Sequence, residues 1–250
     1  MKTFLNAIKK YFVDFGTAVA KGDIWCKLSL LVMGAGYWGR KQIVKGVLIT
    51  ALEVVVILFT GMFSINYIKD LNTLGTVQYE SVFDPLTLKN TVNDYDNSLL
   101  ILLYGIIGIL VIVAFIFLYI SNMKAVYRLQ LMKEEGEHVN TFAEDIKSLF
   151  NGKFYITLLT LPSIGVIMMN IIPIIFMSCV AFTNYDMDHM PPNYLFTWVG
   201  LRNFKNMFTG GTTITFSYAF VRILAWTMIW AVSACLLYTS DAADDRISVD

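Results

Sequence analysis

Few residues in this chain have the types and spacing that chemistry needs. Two ionisable side chains fall within long apolar runs: Glu53, the one charge between Gly46 and Asn66, and Arg222, near the start of the run from Phe216 to Ala234. A carboxylate near helix mid-depth costs several kcal/mol unless it is paired or neutral, so Glu53 should face other protein. Two readings stand for it: a part in coupling or ion passage, or a structural hydrogen bond within a helix bundle, as the neutral acid. Arg222 either snorkels to headgroup level or lines a polar pathway. His189 stands beside Asp186 and Asp188, but loop spacing is weak evidence for a metal site. Cys26, Cys179 and Cys235 show neither a pairing framework nor ligand spacing. Gly34, Gly36 and Gly39 spell G-x-G-x-x-G, yet basic residues and an apolar run follow, not a parallel α/β unit. These glycines are read as the turn from a surface helix into the bilayer. No G-x-x-x-x-G-K-[ST] loop occurs, so ATP is not expected to bind this chain.

The elements that must position these residues follow from composition. The chain has 250 residues, is 56% hydrophobic and 15% charged, and has a mean hydropathy of +0.60. Soluble domains carry roughly 25% charged residues. The apolar excess gathers in runs of about 20 residues or more, enough to cross a hydrocarbon core of roughly 30 Å. The expected class is an all-α polytopic membrane protein with about four transmembrane helices, preceded by an amphipathic surface helix. The expected segments are a basic stretch at 1–45, spans at 46–68, 98–120, 154–183 and 216–234, and connections at 69–97, 121–153 and 184–215. Within the first segment, Ile24, Leu28, Leu31 and Val32 fall at helical spacing after Asp23, a candidate N-cap. Such a helix suits either the membrane surface or packing against the bundle. The start, MKTFLNAIKKYFVDF, has no small-residue cleavage site and is not read as a signal peptide. Segment 69–97 is polar and too short for a core of its own. Gly105 and Gly108 give the second span a small-residue face for a neighbouring helix.

Cation placement sets the expected orientation. Segment 1–45 holds Lys2, Lys9, Lys10, Lys21, Lys27, Arg40, Lys41 and Lys45; segment 69–97 holds only Lys69 and Lys89. Segment 121–153 holds Lys124, Arg128, Lys133, Lys147 and Lys153. By the positive-inside rule the amino terminus and 121–153 are cytoplasmic, while 69–97 and 184–215 face outward. His138 and His189 then lie on opposite sides, and no Ser/His/Asp or paired-carboxylate set shares one depth. The chain is therefore not read as an enzyme. The acids of EEGE, Glu134 to Glu137, are read as a solvated face. CLLYTSDAADDRISVD, at 235–250, turns acidic where the fourth span should end. It resembles a translated sequencing-library adapter, so the natural chain is expected to continue past Ala234.

The block after the third span combines AFTNYD, Ala181 to Asp186, with HMPPNYLFTWVGLRNF, His189 to Phe204. With GDIWCKLSLLVMGAGYWGRKQIVKG, Gly22 to Gly46, and GKFYITLLTLPSIGV, Gly152 to Val166, it resembles the permease subunits of bacterial carbohydrate ABC importers. The likeness is greatest to the maltose/maltodextrin permease of the MalF type, in its Gram-positive form. The resemblance implies a chain without cofactors that works with a second permease subunit, a cytoplasmic ATPase dimer and an extracellular sugar-binding protein in a bacterial cell membrane. No nucleic-acid partner is expected. It also implies a sugar path through a cavity between the two permeases. The large folded domain inserted here in the enteric form is replaced by a short loop, about 186–199. The family's ATPase-docking E-A-A loop is expected beyond Ala234. Asn184, Tyr185, Asp186, Tyr194 and Trp198 are candidate residues for docking a binding protein, with belt anchoring of the aromatic rings as the other reading. A membrane scaffold or sensor subunit without a translocation pathway is the rival function.

Overall fold

The structure, a computed structural model, describes residues 2–85, 88–209 and 214–247. Parts of the expected segments at 69–97, 184–215 and 235–250 therefore lie outside the described residues. Contacts divide the chain into two units, Met1–Met177 with Pro191–Leu195, and Ser178–Met190 with Phe196–Asp250. Among the described residues the fold is all-α apart from one hairpin, and four helices are long and apolar enough to cross a membrane: Ile43–Asp70, Ser98–Glu134, Phe154–Val180 and the stretch Ser217–Tyr238.

In the first unit, α1 (Lys2–Lys21) precedes two short pieces, α2 (Ile24–Leu28) and α3 (Ala35–Trp38). The expected surface helix after Asp23 is thus corrected. Asp23 does cap it, accepting from the Cys26 N–H, but only five residues are helical. Beyond them the chain turns through residues 29–34, and Gly34, which disfavours helix by about 1 kcal/mol, closes that turn ahead of α3. The long surface helix lies upstream. Tyr11, Asp14, Phe15 and Ala18 recur at helical spacing and form its inward face.

The first span joins α4 (Ile43–Phe59) through a π-helical turn, Thr60–Ser64, to α5 (Ile65–Asp70). The second is α6 (Ser98–Glu134), opened by Asn97, whose side chain accepts from the N–H groups of Leu99 and Leu100. At about 1.5 Å per residue, its 37 residues extend some 55 Å, well past a hydrocarbon core of roughly 30 Å. The expected end at 120 marks the apolar part; the helix itself runs on. Gly105 and Gly108 do lie against a neighbour. A Cβ at Gly105 would come 2.5 Å from Leu71, and one at Gly108 would come 2.8 Å from Ser64 Oγ. The rings of Phe63, Tyr67 and Tyr104 pack tilted or edge-on to one another, their centres 5.0–5.3 Å apart.

Between these spans, β1 (Ser81–Asp84) pairs antiparallel with β2 (Lys89–Val92), Ser81 facing Val92 and Phe83 facing Asn90. Sequence reading missed this hairpin. At the other end of the helix pair, α7 (Phe142–Phe150) begins with a capping box between Thr141 and Glu144. Lys45 and Asp145 meet there at 2.8 Å. The third span joins α8 (Phe154–Val166) through a π-helical turn, Ile167–Ile171, to α9 (Ile172–Val180). Pro173 lacks an N–H and its ring crowds the carbonyl four residues back, which accounts for the widened turn ahead of it.

In the second unit, α10 (Arg202–Thr209) is followed by α11 (Ile214–Ile247). The helix continues through the acidic tail rather than ending at 234.

The G-x-G-x-x-G glycines have a packing role. None of the three has a positive φ. A Cβ on Gly34 would lie 2.1 Å from the Gly46 carbonyl, and one on Gly36 would lie 2.3 Å from Val126. Gly34→Ala should therefore destabilise the purified protein by about 1–3 kcal/mol. Gly16→Ala, inside α1 with open space around it, should instead raise stability by up to about 1 kcal/mol. Thermal melting in detergent compares the two, and equal melting points would contradict the packing role.

Candidate functional site

The candidate docking block is built mainly by main-chain bonding. Where α9 ends, Phe182 O accepts from Val199 N at 2.8 Å and from Gly200 N at 3.0 Å. Thr183 forms an antiparallel bridge with Trp198, and Asn184 N donates to Thr197 O at 3.1 Å. Asn203 Nδ2, on α10, donates to Ala181 O at 3.0 Å and to Thr183 O at 2.6 Å. The Phe182 and Phe204 rings lie 5.3 Å apart. Gly200 sits at φ 59°, where a side chain would be strained. F-T-N-Y and V-G-L-x-N-F are thus two halves of one clasp.

The candidate residues separate on this geometry. Asn184 Oδ1 is engaged inside the clasp, accepting from Thr197 N at 2.6 Å. Tyr185 stands edge-on, 5.5 Å from the ring of Phe196, which is fully buried. Asp186 Oδ1 accepts from the N–H groups of Asp188 and His189 and contacts His189 Nδ1 at 2.7 Å. The His/Asp cluster thus forms a hydrogen-bonded turn. Among the described residues no three His, Cys, Asp or Glu side chains are grouped to hold a metal ion. Tyr194 is half exposed and Trp198 is 38% exposed, while Met187, at 94%, is almost entirely so. Sequence reading did not single out Met187. Within the first unit, Gln78 Nε2 donates to Asn193 O at 3.2 Å, so the hairpin segment touches Pro191–Leu195.

The two intramembrane polar residues also differ. Glu53 is buried, and its Oε2 accepts the Met33 N–H at 2.8 Å. Arg222 is exposed on α11. A further buried charge escaped sequence reading: Arg40 contacts Asp23 at 3.1 Å and donates to Gly36 O at 2.6 Å. Burial works to raise the Asp23 carboxyl, but the Cys26 N–H and the Arg40 guanidinium outweigh it and hold the group below the ordinary carboxylate range. Burial pushes the Cys26 thiol up and the Tyr37 hydroxyl up to about 12, so both stay protonated at neutral pH and neither is an activated nucleophile.

Fold and site define an all-α polytopic membrane protein. The chain is 33% identical over 208 residues to the maltodextrin transport system permease protein MdxF of Bacillus subtilis. It is 30% identical over the same length to the maltodextrin permease MalC of Streptococcus pneumoniae, and 29% identical to the galactooligosaccharides transport permease GanP of Bacillus subtilis. Each match covers 83% of this chain but only 44–45% of the relative, so the chain spans less than half the length of these relatives. No protein-family model and no solved structure matches. The resemblance read from the sequence is borne out: the chain is a homologue of sugar ABC-transporter permeases of the maltodextrin type.

Two outcomes test the clasp. Asn184→Ala should lower hydrogen-exchange protection of the Thr197 amide by about fivefold, a neutral hydrogen bond being worth about 1 kcal/mol; unchanged protection would contradict the pairing. The hydrogen bond from His189 lowers the Asp186 carboxyl below its ordinary 3.8. A depressed carboxyl contributes order above its unfolded value and loses it as pH falls through the folded one. The His189 amide should therefore stay protected at neutral pH and lose protection as pH falls below about 4.

Proposed function

We propose that the chain is part of a permease subunit of an ATP-driven carbohydrate importer, with maltodextrins as the favoured cargo. The similarity over 208 residues to maltodextrin permeases carries this reading. In it, an extracellular binding protein delivers sugar to a cavity shared with a second permease, and a separate cytoplasmic ATPase dimer drives the cycle. The chain itself binds no cofactor. The amino terminus and 121–153 are cytoplasmic, and 69–97 and 184–215 face outward. Grouping in the first unit supports this sidedness: Lys45 meets Asp145 at one end of the helix pair, and Gln78 meets Asn193 at the other. The docking residues are, in the second unit, Met187 and Trp198, with Asn184, Tyr185 and Asp186 holding the turn there, and, in the first unit, Tyr194.

Disrupting the gene in its host should abolish uptake of labelled maltodextrin, and the intact gene should restore it. Cysteines placed at Met187 or Tyr194 in the full-length protein should react with a membrane-impermeant thiol reagent outside intact cells. Uptake that survives disruption would favour the rival, a scaffold or sensor subunit, and labelling only from the cytosol would overturn the topology.

A further inference from the structure

The contact between α1 and the lower part of α6 leaves a cationic groove at the edge of the apolar surface. Tyr11 Oη donates to Phe117 O at 3.0 Å and lies 2.7 Å from Ser121 Oγ. Lys124 Nζ sits 4.2 Å from the centre of the Tyr11 ring and 3.5 Å from Asp14 Oδ2. Two adjoining hollows share Lys124 and Arg128. One, of about 200 Å³, adds Tyr11, Ser121 and Ala125. The other, of about 180 Å³, adds Asp14, Thr17, Tyr127 and Leu131. Arg128 is exposed and makes no ion pair among the described residues. Asp14 offsets one of the two cations, and exposed Lys9 and Lys10 add further positive charge on α1.

The position of the groove selects the ligand. Immediately above it on α6, Val113, Ile116, Phe117 and Leu118 are exposed and apolar, as a lipid-facing surface requires. Phe12 and Val13 of α1 are more than half exposed beside it. A phosphate at Lys124 and Arg128 would thus stand where the hydrocarbon ends. We propose that this groove binds the phosphate of an anionic phospholipid, its acyl chains running along the exposed face of α6 and past Phe12 and Val13. The lipid fastens α1 to the bilayer surface. The proposal does not depend on what the protein transports.

Native mass spectrometry of the full chain in detergent tests it, with phosphatidylglycerol, phosphatidylcholine of the same acyl chains, or inorganic phosphate as the probe. The wild type should retain phosphatidylglycerol in preference to phosphatidylcholine, and millimolar inorganic phosphate should not displace it. Each cation removed should weaken retention about fivefold, so the K124Q/R128Q double variant should lose roughly thirtyfold. Lys89→Gln, on the hairpin, should retain lipid normally. Should the double variant fail to fold, Arg128→Gln alone, at an exposed position, should show the single fivefold loss. Undiminished retention by either variant, equal retention of phosphatidylcholine, or displacement by inorganic phosphate would overturn the proposal.

Discussion

Met33 is tied to two spans by its own backbone. Its N–H is taken by Glu53 Oε2 at 2.8 Å, and its carbonyl receives Asn122 Nδ2 at 2.9 Å. The chain has left helical geometry there, so these groups lack the partners a helix would supply. Burying either unpaired would cost about 1–3 kcal/mol. Tyr119 closes the same gap from α6, donating to Leu30 O at 2.9 Å. With the turn fixed, Gly34 can approach Gly46, and Arg40 can reach Asp23 across the broken helix. This geometry favours Glu53 as a brace over Glu53 as part of an ion path.

The spans were legible because a bilayer demands long apolar runs, and such runs tolerate errors of a few residues. Asp23 was legible as a cap because capping is local, set by a side chain and an N–H three residues on. The helix α1 was missed for the opposite reason. Its inward face is interrupted by Asp14, and only the packing partner on α6 shows that Asp14 belongs there, beside Lys124. The hairpin was missed because β pairing depends on a register between strands that no single stretch displays. Asn184 was singled out only as a docking candidate, and its bond to Thr197, thirteen positions away, went unread. Pairings of that range do not appear in any local pattern.

The block after the third span shows how a loop leaving a membrane helix can be held without a core of its own. Backbone donors and acceptors on both sides of the loop satisfy one another, Asn203 takes up two further carbonyls, and one buried ring, Phe196, fills the interior. Within the same unit, Met187 and Trp198 leave apolar area exposed. Shape and surface are therefore assigned to different side chains, and the surface can vary without loosening the clasp.

The unbroken course of α6 limits how this chain can change over time. Adding or removing one residue near Ser121 would swing everything beyond it by about 100°. Asn122 and Met123, Val126 and Gln130 would then turn away from Met33, Gly36 and Asp23 together. The hairpin connection is under no such phase requirement, so length variation among descendants should collect there and spare the long rod.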